Sequence, residues 1–154
     1  LYQSEDLTHI DFGEYIKELT TALLQSISQT PKKVALDINI KNINLSIDTA
    51  IPLGLVLTEL TTNALKYGIE ANQQGKVEIT IKDDGDMYVV SVSNSGKPFP
   101  EYLDFREAGT LGFQLVIALV KQLSGTIDLD TSDGTTFTIT FNKSLAETFK
   151  KLVD

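Results

Sequence analysis

The chain has 154 residues, 42% hydrophobic and 22% charged, with a formal net charge of −8, which is enough length for one domain with a real core. That acidity argues against a nucleic-acid surface, whose affinity comes largely from Lys and Arg on phosphates, but it leaves room for a small anion held by a metal ion and backbone N–H groups. No cysteine and one histidine exclude disulfides, thiolate metal sites and His clusters, no apolar run approaches the roughly 18 residues of a membrane span, and no signal peptide opens the sequence.

Asp11 followed by Glu14 has the form of a capping box, and Phe12, Ile16, Leu19, Leu23 and Ile27 recur at helical spacing, so a first helix is predicted over Phe12 to Ser28. Pro31 ends it. Val34, Leu36, Ile38 and Ile40 then alternate with polar residues, and a shorter run covers Asn44 to Ile47, which predicts two strands. Asp48 or Thr49 can cap the next helix, with Pro52 in its first turn. Gly68 lies just past its end, near Tyr67.

This second helix carries the chemistry. Glu59, Asn63 and Lys66 are spaced four and then three apart, which on a helix sets an acceptor, an amide and a cation on one stripe. Leu55, Leu60, Ala64 and Leu65 give it apolar ground for packing. Lys76 to Lys82 and Met87 to Asn94 follow as a hairpin around Asp83-Asp84-Gly85-Asp86. Between Ser95 and Thr110 lies an irregular segment of a length that is usually functional. Leu111 to Leu123 gives a third helix whose Leu115, Val116, Leu119, Val120 and Leu123 are core. A second hairpin runs through Ile127, Leu129, Phe137, Ile139 and Phe141 across a Ser132-Asp133-Gly134 turn. Ser144 and Glu147 predict a short tail helix with Leu145, Phe149 and Leu152.

Strands with one polar face and three helices with apolar stripes imply an α+β fold. It is a two-layer sandwich with a mixed, mostly antiparallel sheet and the helices on one face. The expected division is a linker over 1–10, a domain over 11–142 and a tail over 143–154. The opening on Leu1 rather than Met suggests a piece of a longer, cytoplasmic protein.

Four stretches stand in order: ELTTNALKYG (59–68), NSGKPFP (94–100), GTLGFQLV (109–116) and GTTF (134–137). Together they resemble the N, G1, G2 and G3 boxes of the ATP-binding catalytic domain of sensor histidine kinases, in the gyrase and histidine-kinase ATPase superfamily. The opening LYQSEDLTHIDFGEYI is similar to the join between dimerisation helices and catalytic domain in one subfamily. The resemblance implies ATP and magnesium as cofactors, with Asn63 as the magnesium ligand, Glu59 as general base and Lys66 neutralising phosphate charge. It implies phosphate contacts at Gly109 and Gly112, nucleotide contacts at Tyr67, Gly96 and Leu111, and adenine contacts at Asn94 and Thr135. It also implies an upstream dimerisation domain with the phosphoacceptor histidine, a response regulator as partner and a homodimeric parent. His9 reads as a linker residue, so the acceptor belongs before Leu1.

The sequence departs from the family where G1 usually offers an aspartate to the adenine amino group, since that position is Asn94. A hydrogen bond to a charged partner is worth about 1.5–3 kcal/mol against about 0.5–1.5 for a neutral one, so weaker ATP binding is expected. Pro98 replaces the second G1 glycine, and Ala108 and Thr110 stand where G2 glycines are usual. The competing reading keeps the fold and makes the domain a degenerate, non-catalytic interaction module. A serine kinase of the anti-sigma type fits the opening segment less well.

Overall fold

A computed structural model describes residues 9–27, 33–68, 74–96 and 111–143. The first element is a short strand, β1 (His9–Asp11), which turns directly into α1 (Phe12–Ile27). The Glu14 N–H donates to Asp11 Oδ1 at 3.3 Å, which is one half of the expected capping box. Phe12 and Ile16 are fully buried. Sequence reading puts His9 and Ile10 in a linker, whereas the structure pairs β1 antiparallel with β3 (Asn44–Ser46), His9 opposite Ser46 and Ile10 opposite Leu45. Three residues are too few to show the alternation by which a strand is recognised.

The other strand of that region, β2 (Lys33–Asn39), joins the main sheet instead, as an edge strand parallel to β4 (Gln74–Asp84). The remaining strands, β5 (Met87–Asn94), β6 (Thr126–Asp130) and β7 (Thr135–Asn142), complete the order β2-β4-β5-β7-β6 with antiparallel pairing. The two predicted hairpins are β4–β5 and β6–β7.

Helix α2 (Ile47–Asn63) begins at Ser46 as N-cap, ahead of the expected Asp48 or Thr49, so Pro52 lies a turn further in than predicted. The Ser46 hydroxyl donates to Thr49 Oγ1 at 3.3 Å. Leu53, Val56, Leu57 and Leu60 are buried, while Leu55, expected to pack, is 46% exposed beside Ile47 and Ile51. Helix α3 (Leu111–Gln122) packs beside α2 on the same face of the sheet, with Phe113, Val116 and Val120 buried.

Register explains why the core has the shape it does. Ile79, Val92 and Phe137 lie opposite one another across β4, β5 and β7, as do Ile81, Val90 and Ile139. All six are buried, and they form the apolar floor on which the helices rest. This is the expected two-layer α+β sandwich. Residues 97–110, and the predicted tail beyond Lys143, lie outside the described residues.

Candidate functional site

The apolar rows of the sheet end in a polar one. Val77, Asn94 and Thr135 are the next row across β4, β5 and β7. Because side chains alternate along a strand, Asn94 and Thr135 point to the same face as Val92 and Phe137. Both are 6% exposed. Asn94 Nδ2 donates to the Ser95 carbonyl at 3.4 Å. Ser95 is itself tied to β4, its N–H donating to Lys76 O at 3.0 Å and its Oγ accepting the Lys76 N–H at 3.0 Å. Gly96 follows, exposed, with φ of 111°.

The turn before Thr135 presses on the same residue. Gly134 has φ of +67°, and a Cβ there would lie 2.1 Å from the carbonyl oxygen of Asn94. Only glycine suits both demands. Asp130 shapes this turn by accepting the Ser132 N–H at 2.9 Å, and that hydrogen bond holds its carboxyl below the usual pKa. Thus the second and last boxes, far apart in sequence, meet at one end of the inner strands β5 and β7.

The other two boxes meet on the helices. Glu59 and Asn63 are half-buried one turn apart on α2. The carboxylate of Glu59 rests on the first turn of α3, where Oε2 lies 2.7 Å from the place a Cβ on Gly112 would take. Just beyond, Phe113 packs on Phe137 with ring centroids 6.0 Å apart, which anchors the start of α3 to the sheet one row from Asn94 and Thr135. The first N–H groups of α3 have no partner within the helix.

Lys66 lies past the end of the regular α-helix. After Asn63 the chain widens into a π turn, Ala64–Gly68, whose i→i+5 bonding adds a residue to the turn, so the regular α spacing behind the stripe ends at Asn63. Lys66 is exposed. Such π turns inside helices are frequent at functional sites. The backbones of Tyr67 and Leu111 fall in the π turn and at the start of α3, while Gly109 lies outside the described residues. Sequence reading missed Gly134 as a site residue, although its turn was legible. Thr61 Oγ1, buried on α2, has no hydrogen-bond partner among the described residues.

Residues 48–145, which contain all four boxes, match the family of histidine kinase-, DNA gyrase B- and HSP90-like ATPases. The chain belongs to this family. Over 150 residues it is 27% identical to blue-light-activated histidine kinase 2 of Erythrobacter litoralis, a match that takes in 90% of this chain and 42% of that protein. The chain therefore spans less than half of that relative's length. Its fold superposes with a TM-score of 0.81 and 25% identity on the histidine kinase domain of the Erythrobacter litoralis EL346 blue-light-activated kinase, covering 90% of this chain and 64% of that one. With the catalytic domain of histidine kinase ThkA the TM-score is 0.71 at 25% identity, over 88% of this chain and 96% of that one. The chain is thus an ATP-binding domain of the histidine-kinase type. Among the described residues no helix is long and apolar enough to cross a membrane.

Proposed function

We propose that this domain moves the γ-phosphoryl group of Mg·ATP to a histidine on an upstream dimerisation helix. The observation that carries this reading is the meeting of Glu59 with the first turn of α3 at Gly112. It sets a carboxylate beside the N-terminal turn of a helix, a place of the kind that holds phosphate. Magnesium ordinarily takes one or two protein oxygens besides phosphates and water, and the half-buried amide of Asn63, one turn from Glu59, fits that need. ATP supplies the phosphoryl group and magnesium neutralises its charge.

The residues do the rest by position. The α3 N–H groups at Leu111 and Gly112 orient the phosphates, with Gly109 and the Lys66 ammonium adding to their hold. Asn94 accepts a hydrogen bond from the adenine amino group, Thr135 holds the base through water, and Tyr67 and Gly96 border the nucleotide. Glu59 accepts the proton of the attacking imidazole. The phosphoryl group then passes to a response regulator. The working protein is a cytoplasmic homodimer whose dimerisation domain lies before Leu1.

One observation favours a second reading. Asn94 is neutral where the family usually has a charged acceptor, which suits a non-catalytic interaction module. The two readings separate in the intact kinase with radiolabelled ATP. The catalytic reading expects label on a histidine, lost in Glu59→Gln while nucleotide binding persists. A protein that binds Mg·ATP yet never labels itself supports the second reading instead.

A further inference from the structure

A glycine where a phosphate-binding helix begins is ordinarily explained by backbone freedom or by close approach of the ligand. Gly112 needs no left-handed backbone, since the glycines with positive φ are Gly85, Gly96 and Gly134. It lies inside α3, where alanine is the intrinsically better residue. Beyond its own helix and chain neighbours, a Cβ at Gly112 would meet one group within 4 Å among the described residues, the Glu59 carboxylate, with Oε2 at 2.7 Å and Cδ at 3.6 Å. Glu59 therefore fills the space that a side chain at 112 would occupy.

We infer that Gly112 is a positioning residue for Glu59: by lacking a side chain, it lets the carboxylate rest on the first turn of α3 and so fixes it relative to the helix end. The inference rests on the reading of Glu59 as proton acceptor. Relief of the clash in Gly112→Ala has one easy route. Helix α3 is held by Phe113 against Phe137 and by fully buried Val116, so it does not shift. The half-exposed Glu59 side chain swings away instead, leaving fold and nucleotide contacts in place.

The test compares Gly112→Ala in three backgrounds: native, Glu59→Ala and Glu59→Asp. In Glu59→Ala nothing opposes the new Cβ, so the substitution raises Tm by about 2–4 °C; with native Glu59 the gain is smaller or absent. In the intact kinase Gly112→Ala keeps its nucleotide affinity within about threefold. Its transfer rate at saturating Mg·ATP falls about 10- to 100-fold, as expected for a displaced catalytic group. Glu59→Asp, one methylene shorter, restores part of that loss. Equal Tm gains with and without Glu59 overturn the inference. So does a loss of nucleotide affinity that persists in Glu59→Ala, because the absent Cβ at Gly112 would then make room for the ligand and not for Glu59. If the native protein binds no Mg·ATP, the proposed function fails, and the Tm comparison still decides the contact.

Discussion

At the sheet end of the site, Asn94 and Thr135 are fixed by strand register, opposite each other and almost wholly buried. Glu59 and Asn63, in contrast, stand on a half-buried helical face with only their side chains reaching the site. The difference shows in two glycines. At Gly134 a Cβ would run into backbone, 2.1 Å from the Asn94 carbonyl oxygen, with φ at +67°; at Gly112 it would meet only the tip of a flexible side chain. The sheet end, where we propose that adenine sits, is thus rigid and sensitive to any change of backbone. The helix end, where we propose that phosphate sits, can rearrange without unfolding.

The largest effect that would break this comparison is at the turn. Gly134→Ala should destabilise the domain by roughly 2–4 kcal/mol, from left-handed strain and a backbone clash together, as read in urea unfolding. A change as small as that expected of Gly112→Ala would erase the distinction between the two ends. Asn94→Asp sharpens it next. The new carboxylate is a better acceptor for adenine, so ATP affinity should rise roughly 5- to 30-fold, or about 1–2 kcal/mol. The nucleotide-free protein should lose about 1–3 kcal/mol, because a charge is buried against the Ser95 carbonyl and the Asn94 donor is lost. Calorimetric titration and thermal unfolding of the same variant read the two signs, and a gain in both would show that the site is not dry.

Thr61→Val removes a buried hydroxyl that has no partner among the described residues and should stabilise by up to about 1 kcal/mol. If ATP affinity falls with it, the hydroxyl serves the nucleotide. The smallest effect concerns Asp130, which is exposed. Its folded pKa lies below the ordinary value of 3.8, so its contribution is present above that value and is lost as pH falls through and below it. Asp130→Asn should flatten the acid limb of the stability curve slightly, and an unchanged limb would remove this role.

Much of the fold was legible because its signals are local. The helical stripe of Phe12 and Ile16, the alternation in Lys76 to Lys82 and the turns at Gly85 and Gly134 each announce an element within a few residues. What escaped depends on partners distant in sequence. The strand at His9–Asp11 exists only by pairing with Asn44–Ser46, and β2 leaves its neighbour β3 for an edge beside β4. Leu55 has the chemistry of a core residue and a place on the outer side of α2. At the site, the family resemblance named Glu59, Asn63, Asn94 and Thr135 from their boxes. The helical row that included Lys66 assumed an unbroken α-helix, and the π turn interrupts it. No spacing rule could show that Glu59 lies against Gly112, because that contact depends on how α2 and α3 pack.

The central claim is that Asn63 and the helix ends still hold Mg·ATP although Asn94 replaces the usual aspartate. Titration of the chain with ATP, with and without magnesium, tests it most directly when native protein and Asn63→Ala are compared. The account predicts measurable binding at millimolar nucleotide or below, strengthened by magnesium in the native protein and indifferent to magnesium in Asn63→Ala. Absence of binding in the native protein, or an equal magnesium effect in both, would contradict it.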